Sequence, residues 1–319
     1  MIWDQVFHDH NSVSSAQTRR SGPRLGPHFF CIGPGCSATT WIADHLKLQR
    51  DVWLPPIQEL GYLHGGFQRF LGTPHLRLEW DAWSITKRIV RNKSLSLRPD
   101  LQFLEHAKAL ADVPDTTRDL DAYRKLFEPA AGKITGDITP NYADLSVDEI
   151  RSFAPVLDDA QNFMIARDPV QRFWSAVATF WRHRVWDDFD YGSLDGAMNL
   201  FESEHHQKQH LLSQIVHRWR TGIGEERLKI FMFDDLATNP KATLKDIVSY
   251  IGADYRKRIA IVSPALNRKA RDPRPDISPD AREAVREAFQ PELERCAELF
   301  GSYGEQWLER HRRPTTDYF

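Results

Sequence analysis

Two clusters of residues in this chain have the types and spacing to hold an anion, and a third residue offers a carboxylate beside a turn. The first cluster is Gly33-Pro34-Gly35-Cys36-Ser37-Ala38-Thr39-Thr40, set between the apolar residues 29–32 and a helical pattern. A small-residue turn at such a junction presents backbone N–H groups that can wrap a phosphate and deliver it to a helix N-terminus. Gly33 and Gly35 allow close backbone approach, and Ser37, Thr39 and Thr40 add hydroxyl donors. The loop carries no lysine or arginine, and Cys36 stands where a phosphate-transfer loop usually places its cation. A Walker A loop ends in Gly-Lys-Ser/Thr, so an ordinary nucleoside-triphosphate kinase or ATPase is disfavoured. A plain strand–turn–helix junction accounts for the same residues equally well.

The second cluster is Arg167-Asp168-Pro169 with Ser175 two helical turns further on. Arg167 ends an apolar strand, so its planar fork can project into a cleft, and Ser175 can share the same anion. The structural alternative pairs Arg167 with a carboxylate and leaves Ser175 as a small packing residue. Asp168 suits a helix N-cap. Glu59 follows the Pro55-Pro56 turn and, taken alone, reads as a surface carboxylate. His206 and His210 are i, i+4, but no third ligand is visible, so a zinc site is not expected. Phe173, Trp174, Phe180, Trp181 and Trp186 read as core, not as a ligand platform.

The elements that must position these residues follow from periodicity. Apolar runs of strand length lie at 29–32, 52–54, 134–138, 162–167 and 228–233. They alternate with helical patterns at 40–48, 169–184, 241–251 and 279–300. Trp41, Leu46 and Leu48 are the buried candidates of the first helix, and Pro169 suits the first position of the second. This alternation predicts an α/β fold, a central parallel sheet flanked by helices on both faces. Ligands of such sheets sit beyond the carboxyl ends of the strands. The loops after Ile32, Leu54, Ile138 and Arg167 should therefore meet in one cleft. Residues 1–27 read as a polar N-terminal arm, 28–319 as a single domain, and 64–130 as a mostly helical insertion.

Composition narrows the partners. A net charge of −2 over 319 residues excludes a nucleic-acid binder that relies on bulk positive charge. No run approaches the ~18 apolar residues of a membrane span, and the N-terminus lacks the order of a secretory signal. Cys31, Cys36 and Cys296 show neither metal-ligand spacing nor a disulfide framework, which suits a reducing cytoplasm. The expectation is a cytoplasmic protein with no metal. Oligomeric state leaves no signature in the sequence.

The ordered motifs carry a family resemblance. Residues 32–41 resemble the 5′-phosphosulfate loop of sulfotransferases that use 3′-phosphoadenosine 5′-phosphosulfate (PAPS), usually Lys-Ser/Thr-Gly-Thr-Thr. Arg167 with Ser175 eight positions on resembles the same family's 3′-phosphate motif. Pro55-Pro56-Ile57-Gln58-Glu59 resembles its Pro-x-Lys-Glu segment, with Gln58 for lysine. Residues 136–142 resemble its Gly-Glu-x-Ser/Thr-Pro-x-Tyr segment, with Asp137 for glutamate. Residues 231–236, Asn239-Pro240 and 244–252 resemble its later strand–Asp-Asp-Leu–helix region. The likeness covers residues 28–307, leans toward the carbohydrate (heparan-type) branch, and implies a P-loop-like sulfotransferase fold.

The resemblance implies sulfuryl transfer from PAPS to a hydroxyl or amine of a small-molecule or carbohydrate acceptor, leaving PAP. Glu59 would be the general base. Gly35, Cys36, Ser37, Ala38, Thr39 and Thr40 would surround the 5′-phosphosulfate, and Arg167 and Ser175 the 3′-phosphate. Lys269 and Arg271 lie where the family places a basic loop closing over the nucleotide, and Tyr142 would line the acceptor cleft. Cys36 and Gln58 each remove a positive charge. A catalytically impaired PAP- or PAPS-binding or interaction protein on the same scaffold is therefore the alternative.

Overall fold

The computed structural model describes residues 25–57, 59–65, 98–111, 118–183, 185, 189–256 and 274–312. Most of the expected N-terminal arm, residues 66–97 and 112–117 of the insertion, Gln58, Trp186, and the 267–273 loop with Lys269 and Arg271 lie outside them.

Five short strands make one sheet: β1 (Phe29–Cys31), β2 (Val52–Trp53), β3 (Ile134–Ile138), β4 (Gln161–Ala166) and β5 (Leu228–Met232). Their order is β2-β3-β1-β4-β5, and every neighbouring pair is parallel. Side chains of a strand alternate between faces, and the core divides accordingly. Phe30 of β1 with Met164 and Ala166 of β4 belong to one apolar cluster. Phe29 and Cys31 with Phe163 and Ile165 belong to the other. Strands buried on both faces favour apolar residues at consecutive positions, which is why 163–166 reads as a continuous run.

Helix α1 (Thr39–Leu46) covers the second face with Trp41, Ile42 and Leu46. The helix α2 (Pro169–Arg182) covers the first with Val170, Phe173, Trp174 and Val177. A further helix on the α1 side, α3 (Pro240–Tyr250), inserts Leu244, Ile247 and Val248. Phe173 and Trp174 are fully buried, so these aromatics are core.

Two local expectations change. Leu48 is 49% exposed because α1 stops at Leu46 and Leu48 falls in the following turn. The 279–300 pattern is two helices, α4 (Pro279–Ala288) and α5 (Gln290–Phe300), broken at Phe289 with a proline opening the second. A third helix, α6 (Ser302–Arg310), follows Gly301, whose φ of 54° ends α5. Within the insertion the described parts include helices Arg98–Ala111 and Leu120–Lys125.

Gly33 begins the loop after β1 at φ +101°, and a Cβ there would stand 2.3 Å from the Pro140 carbonyl oxygen. Both backbone strain and overlap oppose any side chain. Gly33→Ala should lose about 3 kcal/mol of stability in urea unfolding. An unchanged midpoint would refute this close approach.

Candidate functional site

Strand order locates the site before any side chain does. The chain leaves β1 toward β2 on one side, and leaves β4 toward β5 on the other. The crevice between the carboxyl ends of β1 and β4 is therefore the topological switch point of the sheet. The Ile165 N–H donates to the Gly33 carbonyl at 3.1 Å, which extends the β1–β4 pairing into the loop.

Arg167 leaves β4 at this crevice and spans it. Its Nη1 donates to the Cys36 carbonyl at 2.6 Å, and its guanidinium lies 4.4 Å from the Phe233 ring centroid. The Nε of Arg167 is buried without a hydrogen-bond partner. Burial lowers the Arg167 pKa from its ordinary value, opposed by Cys36, Asp168 and Asp234. Further along α2, Arg172 is fully buried and donates to the Gln209 carbonyl. Burial pushes it down to about 10, opposed most by Cys36. Two arginines thus lie within electrostatic reach of the position where the loop lacks a cation.

The loop itself has a backbone that can receive an anion. Cys36 and Ala38 both have left-handed backbone, with φ of 60° and 65°. Left-handed residues alternating along a loop turn successive N–H groups inward, the backbone pattern of an anion nest. Ala38, the N-cap of α1, offers no side-chain cap, and no acidic residue occupies the first turn. The orphan N–H groups of that turn therefore lack a side-chain acceptor at the N-cap. Ser37 is fully buried and its Oγ has no partner. Thr39 is buried and Thr40 exposed at the start of the helix.

Beside this loop lies a cleft of about 370 Å³, counting the space open to solvent. Thr39, Thr40 and Ala43 of α1 line it with Lys47, the C-cap of that helix, as do Leu54, Pro55, Ile57 and Glu59 after β2. Gly136 and Ile138 of β3 also line it. Loops after β1, β2 and β3 thus meet as expected, and the loop after β4 joins through Arg167. Glu59 has a φ of 58°, so Cys36, Ala38 and Glu59 are the three non-glycine residues with left-handed backbone among the described residues. Each such residue costs about 1–2 kcal/mol, and such strain persists where the surroundings over-determine it. All three belong to the loops that bound this site.

Tyr142 is a correction. It is fully buried, and its hydroxyl donates to Asp137 Oδ2 at 2.6 Å, so it does not line the acceptor cleft. Tyr123 donates to the same oxygen at 2.7 Å, and Thr139 Oγ1 donates to Oδ1 at 2.7 Å. Burial raises the Asp137 pKa above the usual carboxylate value, and these three donors pull it partly back. The network steadies the Glu59 segment indirectly, because the Gly61 N–H donates to Thr139 Oγ1 at 3.2 Å and the Leu63 N–H to the Tyr142 hydroxyl at 3.4 Å.

Asp168 caps α2 as expected, accepting from the N–H groups of Val170 and Gln171. Its other partners come from the far end of the chain. Arg310 Nη1 donates to Oδ2 at 2.7 Å, and His311 Nε2 lies 2.8 Å from the same oxygen. Burial alone would raise the Asp168 pKa, but His311, Arg310 and the Gln171 N–H outweigh it and hold it below its ordinary value. Arg310 and His311 therefore take the nearest carboxylate, while Arg167 turns to the Cys36 carbonyl. Arg167 thus meets a backbone carbonyl, a contact that neither sequence reading specified. Ser175 is partly exposed on α2, two turns from its start. His206 and His210 stack with ring centroids 3.7 Å apart, against Phe173. Among the described residues no group of three His, Cys, Asp or Glu is placed to hold a metal ion, and no helix is long and apolar enough to cross a membrane.

Sequence reasoning passed over Lys47, Arg172 and the Arg310–His311 pair. Lys47 had a signal, since it follows Ala43 at i+4 on the face that begins at Thr39. The clamp on Asp168 had none, because nothing local marks a contact between such distant residues.

A profile described as the sulfotransferase family matches residues 27–257. Among solved structures, the chain is similar to a sulfotransferase from Alicyclobacillus acidocaldarius at 19% identity and a TM-score of 0.55. That alignment covers 88% of this chain and 98% of the other. It is also similar to the sulfotransferase domain of the Synechococcus PCC 7002 olefin synthase, at 17% identity and a TM-score of 0.49, over 74% and 77% of the two chains. No curated protein sequence gives a significant match.

Proposed function

This chain belongs to the sulfotransferase family, and from that premise we propose that it moves a sulfuryl group from PAPS to a hydroxyl or amine of a small-molecule or carbohydrate acceptor. The observation that carries the reading is Arg167 bonded to the Cys36 carbonyl across the β1/β4 crevice. It joins the loop that would hold the 5′-phosphosulfate to the residue that would read the 3′-phosphate. The residues present fit such a ligand. Ser37 Oγ and Arg167 Nε are buried polar atoms without partners, and an anion supplies acceptors to both.

PAPS, when bound, supplies the sulfuryl group, the bond to the acceptor oxygen forming as the bond to the phosphate oxygen breaks. The backbone of Gly35 to Thr40 and the hydroxyls of Ser37, Thr39 and Thr40 hold the 5′ end, and Arg167 and Ser175 the 3′-phosphate. Glu59 takes the proton of the acceptor hydroxyl. The field of Arg167 and the charged Arg172 near Cys36 supplies positive potential where the loop has no cation. Lys269 and Arg271 would add to it from a closing loop. The three cysteines are free, in keeping with a cytoplasmic setting.

Calorimetric titration with PAP tests this. The protein should bind PAP, and Arg167→Ala should weaken binding about thirtyfold, the loss of a charged hydrogen bond worth ~2 kcal/mol. Absence of PAP binding by the native protein would overturn the assignment. Cys36 favours a second reading, a binder that has lost transfer. Desulfation of PAPS over a panel of acceptors separates the two.

A further inference from the structure

Arg167 has two acidic neighbours. Asp168 follows it in the chain, and Asp234 adjoins Phe233, whose ring centroid lies 4.4 Å from the Arg167 guanidinium. Both carboxylates act on the charge of Arg167, and Arg310 acts on it in the opposite sense. Yet the ion pairs these carboxylates make among the described residues go to Arg310 and His311, not to Arg167. Arg310 Nη1 donates to Asp168 Oδ2 at 2.7 Å and Nη2 to Asp234 Oδ1 at 3.4 Å, so one planar fork spans both. The helix that carries the fork holds it in place. Tyr303, Trp307 and Arg310 are spaced i, i+4 and i+7 on α6 and share a face. The Tyr303 hydroxyl lies 2.8 Å from each oxygen of Asp235, and Trp307 Nε1 donates to Asp234 Oδ2 at 3.1 Å. In this way α6 fastens the segment Phe233–Asp235, which carries the ring beneath Arg167.

Resting on the sulfuryl-transfer reading, we propose that Arg310 is a positioning residue for the 3′-phosphate. By engaging Asp168 and Asp234 together it keeps Arg167 for the ligand, and so sets the preference for nucleotides that carry a 3′-phosphate. An arginine drawn into a forked pair with a carboxylate turns that edge away from a phosphate. Without Arg310, two carboxylates would compete for one arginine, and an incoming phosphate would meet their uncompensated charge. With it, Arg167 keeps a buried Nε that no protein group has taken. Arg310 acts through these carboxylates and does not itself touch the nucleotide.

The test is calorimetry on the full-length protein with PAP and with adenosine 5′-phosphate, which lacks the 3′-phosphate. Arg310→Gln should weaken PAP about tenfold and leave adenosine 5′-phosphate unchanged. Adding Asp234→Asn to that variant removes a freed carboxylate and should restore most of the loss. Direct contact between Arg310 and the phosphate would give no such rescue. Asp234→Asn alone should tighten PAP about threefold by lifting one negative charge, and it carries the test if Arg310→Gln fails to fold. Equal weakening of both nucleotides by Arg310→Gln makes Arg310 a support of the fold only, and overturns the proposal. An unchanged PAP affinity, a double variant without rescue, or an Asp234→Asn variant that does not tighten PAP overturns it as well. Native protein that binds PAP no more tightly than adenosine 5′-phosphate overturns the sulfuryl-transfer reading itself, and this inference with it.

Discussion

Replacing Glu59 with glutamine should lower kcat by about 10²–10⁴-fold, the usual contribution of a positioned general base, and leave PAP affinity unchanged. The separation of the two effects follows from the architecture. Glu59 lies in the segment that follows β2, whereas the residues assigned to the nucleotide stand on the loop after β1, at the end of β4 and on α2. Glutamine keeps the size of the side chain and the left-handed backbone that Glu59 already adopts, with φ of 58°. A change in stability should therefore be small. Single-turnover measurement of PAP formation with a saturating acceptor reads the chemical step directly. If Glu59→Gln retains native turnover, the proton goes elsewhere and the cleft has been assigned to the wrong role. If turnover and PAP binding fall together, Glu59 supports the loop and does not move a proton.

The second large effect is on stability. Asp168→Ala should cost about 4 kcal/mol in urea unfolding, because it removes one member of a buried charged cluster and leaves the others without their anion. Three interactions end at this carboxylate: the cap of α2, the Arg310 guanidinium and the buried His311 ring. Asp168→Asn should lose less, since asparagine still caps a helix. The carboxylate also gives the fold a direction of acid sensitivity. Its folded pKa lies below the ordinary value, so its stabilisation is complete above the unfolded pKa of about 4 and is lost as the pH falls through the folded one. Asp137 works in the opposite sense. Its raised folded pKa makes its contribution greatest in acid and diminishes it as the pH rises through that value. Stability measured from pH 6 down to pH 2 should therefore fall less steeply in Asp168→Asn than in the native protein. Parallel curves would remove Asp168 from the account.

The parallel sheet was legible because burial on both faces forces apolar letters at consecutive positions, as in Phe163-Met164-Ile165. The turn at residues 33–40 was legible because glycine, serine and threonine between an apolar run and a helical pattern mark a turn and a helix start. Arg167 was legible as a residue but not in its contacts, since a planar fork at a strand end reads the same whether it meets a carboxylate or a carbonyl. Tyr142 misled for a physical reason. A tyrosine after a proline turn has an apolar ring and a polar tip, and only the fold decides whether that tip meets a ligand or, as here, a buried aspartate. The break at Phe289 was hidden because both segments of the 279–300 stretch keep the amphipathic period. Lys47 was hidden by its ordinariness, as a lysine at a helix end usually serves the helix dipole and the solvent.

The bond from His311 to Asp168 joins residues 143 positions apart. During synthesis, Arg167 and the start of α2 leave the ribosome long before the residues that clamp the adjacent carboxylate. Until then Asp168 is a charge held only by backbone N–H groups, and the crevice between β1 and β4 lacks one of its supports. The order of manufacture thus makes this clamp on the start of α2 a late contact, formed after every strand of the sheet has been made.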